Sequence, residues 1–263
     1  MDLRLTGRTV YYANGGIAYD AGNRCVVFVH GAGMDHTVWT LYTRYFARNG
    51  YNVFAVDLPG HGRSEGEPME SIEAMAQWLL GVLGELGVTQ VTLAGHSMGS
   101  LVALHAAAIA PGLARNLALL GFSYPMQVGR PLLEAARNND HAAIDMMMIW
   151  GHDHLAQIGG NAMPGMGIVT PAQRILERAA PGVLFTDLNA CHTYAAGEAS
   201  AQALDCPVTL ILAERDRMTP LRTARAFMQN FRRVDSIVLS ECGHGMLAER
   251  PEETYHALAQ ALA

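Results

Sequence analysis

Nowhere in the chain do basic residues bunch. Its 18 Lys and Arg are outnumbered by 24 Asp and Glu, for a formal charge of −6 over 263 residues. That balance, with no basic run, leaves no electrostatic footprint for nucleic acid or for an anionic membrane surface, and neither partner is expected. Cysteine is scarce as well. Cys25, Cys191, Cys206 and Cys242 are scattered with no C-x-x-C spacing, which argues against zinc and against a redox pair and leaves free core thiols. The first ten residues, MDLRLTGRTV, lack the charged start, apolar middle and cleavage site of a secretory signal, so a cytoplasmic protein is expected. The longest apolar-looking stretch, Val91 to Ala110, holds Gly95, His96, Ser97, Gly99 and Ser100, residues a membrane span would not place at its centre. No repeat or low-complexity tract is visible.

Half of the residues are hydrophobic, ample for one large core, so disorder is not expected. RTVYYANGGIAYD reads as two short strands around Asn14-Gly15-Gly16, where positive φ is easy, and predicts an antiparallel opening. CVVFVH, YNVFAVD, VTLAG, NLALLG, PVTLILA and DSIVLS then read as buried strands alternating with helical stretches. That alternation predicts an α/β fold: a mostly parallel, doubly wound sheet of about eight strands with an antiparallel N-terminal hairpin. Residues 122–205 break the rhythm. Rich in Met, Ala, Gly and His, with frequent Gly and Pro breaks, they predict several short helices inserted after the sixth strand. The expected division is a core of residues 1–121 and 206–263 and a helical cap of residues 122–205.

LAGHSMGSLVALHAA, residues 93–107, places Ser97 between Gly95 and Gly99 where a strand gives way to a helix. A residue on such a bend projects at the carboxyl end of the sheet, where open α/β folds bind ligands, and small neighbours two positions either side let strand and helix approach. Downstream, LILAERDRMTP supplies Asp216 just past one strand, and ECGHGMLAERPEE supplies His244 just past the next. Glu214 and Asp205 are alternative carboxylates near the same strand, whereas ALLGFSYP, after the preceding strand, has none. The G-x-S-x-G pattern, with an acid and then a histidine following in that order, resembles the α/β-hydrolase family. Two details depart from the family's habit: Ala213 stands where a glycine is common, and Gly245 follows His244.

The resemblance implies a Ser97-His244-Asp216 triad, in which His244 takes the serine proton and returns it to the leaving group while Asp216 orients the imidazole. It also implies an oxyanion hole made by the backbone N–H groups of Ala32, in FVHGAGMDHTVW, and Met98, with His30 buttressing the loop. Gly31-Ala32-Gly33 after a strand resembles the start of a dinucleotide fingerprint, but His36 stands where a third glycine is needed, and no cofactor is expected. His152 and His154 lack further spaced ligands, so no metal is expected. The insertion offers Met147, Trp150 and His154 as substrate-pocket lining. Ser97 argues against the dehalogenase and epoxide hydrolase branches, which use Asp, and the dienelactone branch, which uses Cys; HGAG is not the HGGG loop of hormone-sensitive-lipase-like esterases. The expected activity is hydrolysis of a carboxylic ester of small to medium apolar substrates through an acyl-enzyme, by a monomer or homodimer. One alternative is a C–C bond hydrolase of ring-cleavage products, which needs a cation for a substrate carboxylate, with Arg130, Arg137 or Arg174 available. The other is a ligand receptor on the same fold.

Overall fold

The computed structural model describes residues 1–160 and 167–263; the part of the expected helical insertion that falls on 161–166 lies outside the described residues. Eight strands form one sheet: β1 (Asp2–Leu5), β2 (Arg8–Ala13), β3 (Arg24–Val29), β4 (Tyr51–Val56), β5 (Val91–His96), β6 (Ala114–Leu120), β7 (Val208–Ala213) and β8 (Val234–Leu239). Their spatial order is β1-β2-β4-β3-β5-β6-β7-β8, with β1, β2 and β4 paired antiparallel and the remainder parallel. The hairpin sits elsewhere than its sequence signal. β1 and β2 turn at Thr6-Gly7, both at positive φ, and residues 14–23 form no strand. Asn14-Gly15-Gly16 is a turn for another reason: a Cβ on Gly15 would lie 2.4 Å from the Thr43 carbonyl oxygen, so this glycine lets the loop lie against a helix.

Strand residues alternate between two apolar layers, as a period of two requires. On β3, Val26 and Phe28 join Trp39 and the buried faces of α1 (Thr40–Arg48) and α12 (Pro251–Leu262). Val27 and Val29 face the other way, onto α2 (Ile72–Glu85) and α3 (Met98–Ile109). Ser71 starts α2 by accepting the Ala74 N–H at 3.2 Å, and Pro251 opens α12 at a position where its missing N–H costs nothing. The helix after β3 begins with a single 3₁₀ turn, His36–Trp39, capped by Asp35, whose side chain accepts the Thr37 N–H.

Between β6 and β7 run α4 (Arg130–Arg137), α5 (Ala142–Gly151), α6 (His154–Gln157), α7 (Val169–Arg178), α8 (Val183–Thr193) and α9 (Gly197–Ala203). α10 (Leu221–Phe227) and α11 (Met246–Glu249) complete the core layers. The helical segment is apolar beneath: Leu132, Met147, Leu176, Leu188 and Cys191 are buried in the same cluster as α2 and α3. No helix among the described residues is long and apolar enough to cross a membrane.

Candidate active site

The four segments of interest all follow the carboxyl ends of strands, where an open parallel sheet leaves its crevice. Between β5 and α3 the chain reverses within one residue, and Ser97 takes φ 54° and ψ −119°, a conformation that costs of order 1–3 kcal/mol for a residue with a Cβ. The glycines explain how the bend closes. A Cβ on Gly95 would fall 2.0 Å from the Gly99 carbonyl oxygen, and one on Gly99 would fall 2.3 Å from that of Val29. Ser97 is held by its own backbone, donating to the Leu120 carbonyl at 2.9 Å and accepting from the Ser100 N–H at 2.8 Å. Its hydroxyl forms no hydrogen bond among the described residues and opens onto a cavity it shares with His244.

Asp216 and His244 meet directly: His244 Nδ1 lies 2.7 Å from Asp216 Oδ2. Asp216 Oδ1 accepts from the Met218 and Thr219 N–H groups at 2.8 Å each, and the Thr219 hydroxyl donates to Oδ2 at 2.7 Å. Burial alone would raise the Asp216 pKa, but the facing His244 ring and the Thr219 donors hold it below the ordinary carboxylate range. An ionised Asp216 keeps a proton on Nδ1, which leaves Nε2 as the ring nitrogen able to accept one. The alternative carboxylates are elsewhere engaged: Glu214 accepts from the Glu241 N–H, and Asp205 pairs with Arg232. His96 Nε2 stands 2.9 Å from the His244 carbonyl oxygen, which can only accept, so Nε2 carries the hydrogen; burial, with His244 alongside, lowers the His96 pKa to about 3. It is a neutral prop for the His244 backbone.

The loop after β3 is fixed in the same way. His30 is wholly buried, its Nε2 accepting the Leu58 N–H at 3.1 Å. The Leu58 N–H can only donate, so the ring hydrogen sits on Nδ1, which donates to the Gly31 carbonyl at 2.9 Å. Burial and the neighbouring His61 lower the His30 pKa to about 4, which keeps that tautomer uncharged. Gly31 C=O and Ala32 N–H belong to one peptide plane, so this bond orients the Ala32 donor. Neither the Ala32 N–H nor the Met98 N–H donates to an acceptor among the described residues, as befits a loop and the first turn of a helix.

The cavity measures about 260 Å³ and is walled by Ala32, Met126, Leu132, Met147, Trp150, Leu188 and Met218 around Ser97 and His244. Met147 and Trp150, expected as pocket lining, both line this cavity. His154 does not: it is exposed at the start of α6 and lines no part of this cavity. His152 is buried and bonds the Met148 carbonyl at the end of α5. The three arginines expected for a substrate carboxylate are also elsewhere: Arg130 pairs with Glu134, Arg174 with Glu177, and Arg137 lies over the Phe185 ring. Asp35, His36 and Asp57 cluster with ligand atoms within 4.8 Å, but their carboxylates already receive the Thr37, His36 and Arg63 N–H groups.

A known family model, described as the alpha/beta hydrolase family, matches residues 26–257. The chain belongs to the alpha/beta hydrolase family. Among curated relatives it is 33% identical over 100 residues to an (E)-2-((N-methylformamido)methylene)succinate hydrolase of Acinetobacter baylyi, a match covering 38% of each chain. It is 32% identical over 123 residues to the sn-1-specific diacylglycerol lipase ABHD11 of Danio rerio, covering 46% of this chain and 37% of that one. The chain thus matches under two-fifths of the length of either relative. Among solved structures, the enol-lactonase from Burkholderia xenovorans LB400 superposes with a TM-score of 0.86 at 18% identity, covering 100% of this chain and 99% of that one, a likeness of fold.

Several residues of this alpha/beta hydrolase site gave no sequence signal of their own. Thr219, three residues beyond Asp216, donates its hydroxyl to Asp216 Oδ2 from within the same loop. Glu249 is buried and accepts the Gly243 and Asp153 N–H groups at 2.9 and 3.1 Å, fixing the loop that delivers His244. Arg217 lines the cavity and makes no salt bridge among the described residues, hidden in sequence because it looks like any exposed residue beside a functional one.

Proposed function

We propose that the chain is a serine hydrolase that cleaves carboxylic esters of small to medium apolar substrates. The observation that carries this reading is a serine on a strained strand-to-helix bend, facing an aspartate-bonded histidine across one apolar cavity. In it, His244 Nε2 accepts the proton of Ser97 Oγ as Oγ bonds to the ester carbonyl carbon. The carbonyl π pair moves onto oxygen, and the N–H groups of Ala32 and Met98 receive that negative charge. On collapse the C–O bond to the alcohol breaks and His244 returns the proton to the departing oxygen; water then repeats the sequence on the acyl-enzyme. A volume of about 260 Å³ lies just below the roughly 300–1,000 Å³ usual for ligand sites and favours short acyl chains. In this reading residues 122–205 are a cap, supplying Met147, Trp150 and Leu188 to the pocket, and residues 1–121 and 206–263 are the core that carries the chemistry. Hydrolysis of p-nitrophenyl acetate and butyrate that disappears in Ser97→Ala, together with fluorophosphonate labelling of the Ser97 peptide, tests it; turnover retained in Ser97→Ala would overturn it.

A second reading rests on Arg217. It is the one Arg, Lys, Asp or Glu among the described residues that line the cavity. A substrate that carries a carboxylate, as the succinate named for the Acinetobacter relative does, would place that charge against this guanidinium. The C–C bond hydrolase alternative requires such a cation.

A further inference from the structure

One buried charged pair takes no part in the chemistry described above. Asp187 projects from α8 and is fully buried, and its Oδ2 accepts from two core loops at once: the Gly33 N–H at 2.7 Å and His61 Nε2 at 2.8 Å. His61, in the loop after β4, has Nδ1 3.0 Å from the Pro59 carbonyl oxygen. A carbonyl and an ionised carboxylate can only accept, so this arrangement places a hydrogen on both ring nitrogens and makes His61 an imidazolium. Burial opposes that charge, but Asp187 overcomes it and raises the His61 pKa. The other carboxylate oxygen, Oδ1, is buried without a partner among the described residues, so His61 and the Gly33 N–H carry the whole task of balancing Asp187.

Where this pair touches the core matters more than its strength. Gly33 N–H lies in the peptide plane that follows Ala32, and Gly31 C=O lies in the plane that precedes it. His30 holds the first plane from the core, and Asp187 holds the second from the helical segment. Gly33 has φ +66°, and a Cβ there would lie 2.7 Å from Leu176 Cδ2 of α7 and 3.1 Å from Leu184 Cδ1 of α8, so both helices bear on this one residue. Arg178 of α7 adds a surface ion pair to Asp35 two residues further on. We propose that Asp187, with His61 as its counter-charge, is a positioning residue for the oxyanion loop: α8 must be seated for the Ala32 N–H to be aimed into the cavity. The proposal rests on the reading of Ala32 as an oxyanion donor. Displacement of α8 then frees the plane after Ala32, and turnover is coupled to docking of the helical segment.

The test uses the full chain and three variants: Asp187→Asn, which keeps the shape and removes the charge; Asp187→Ala; and Leu184→Ala, which loosens α8 on Gly33 without touching a charge. Two affinities are compared with kcat and KM for p-nitrophenyl butyrate: that of butane boronic acid, whose serine adduct is tetrahedral and bears the oxyanion, and that of butyrate. Complete loss of an oxyanion donor lowers kcat by about 10²–10³, so a misaimed one should lower it by about tenfold or more in Asp187→Ala. KM should stay within about twofold, boronate affinity should fall in parallel with kcat, and butyrate affinity should not. Asp187→Asn and Leu184→Ala should move both readouts the same way by smaller factors, which carries the test should Asp187→Ala not fold. Folded variants with wild-type kcat and boronate affinity, or with losses confined to KM, would overturn the proposal. Absence of Ser97-dependent turnover in the wild type would instead bring down the serine-hydrolase reading, and the positioning role with it.

Discussion

Acid should unfold this protein through His30, and the effect can be isolated. In the unfolded chain a histidine takes up its proton near pH 6.5, whereas the buried His30 of the folded protein stays neutral until about 4. Between those values the unfolded state binds the extra proton, so stability falls as pH is lowered, by about 1.4 kcal/mol for each pH unit. From about pH 7 to pH 5 the loss from this one side chain is about 2 kcal/mol. His96, lowered to about 3 by burial, loses a similar amount over the same interval. His61 acts with the opposite sign: its pKa is raised in the folded state, so its contribution is fully present below the ordinary histidine value and is lost as pH rises through the folded one. The clean perturbation is His30→Gln, which removes the titration and retains a carbonyl oxygen for the Leu58 N–H. Urea unfolding at pH 7 and pH 5 should show the variant less stable than the wild type at pH 7, with its pH-dependent loss smaller by about 2 kcal/mol. Equal losses in the two proteins would show that His30 titrates as freely folded as unfolded, and the neutral-buttress account of the oxyanion loop would fail.

Ser97→Gly should relieve the strain at φ 54°, raising the melting temperature by about 2–4 °C per kcal/mol recovered while ester hydrolysis is lost; Ser97→Ala, which keeps the Cβ, should lose activity without that gain. Asp216→Asn should lower kcat for p-nitrophenyl butyrate by about 10⁴, because the amide no longer fixes the Nδ1–H tautomer of His244; a loss under about tenfold would mean the acid is another residue. Arg217→Gln should leave turnover of p-nitrophenyl butyrate near wild type and lower kcat/KM for the p-nitrophenyl monoester of glutaric acid by about tenfold, with partial recovery in Arg217→Lys; an unchanged ratio of the two substrates removes the anionic-substrate reading.

What could be read in the chain was whatever local geometry forces on local residues. The bend at Ser97 admits no Cβ at Gly95 or Gly99, so the motif had to appear in five consecutive positions. Buried parallel strands must be continuously apolar, which made β3 to β7 legible, and the helical segment between β6 and β7 announced itself by the loss of that pattern. The hairpin was misplaced because Asn-Gly-Gly is the stronger turn signal: the actual turn uses Thr6 at φ 49°, a choice the strand pairing imposes and that composition does not advertise. His154 was drawn toward the site by its neighbours in sequence, but a residue at the first turn of α6 faces solvent. Asp187 and His61 were invisible for the opposite reason. They are 126 positions apart, each unremarkable where it stands, and only the packing of α8 onto the loop after β4 makes them a pair.

Helix α8 brings Leu188 and Cys191 to the cavity wall on the same short rod that carries Asp187. A laboratory that exchanges residues 122–205 for the corresponding piece of a relative, hoping to trade one acyl preference for another, is therefore exchanging an anchor along with a wall. Such chimaeras should keep the full kcat only when the incoming helix offers a carboxylate within reach of both the Gly33 N–H and His61.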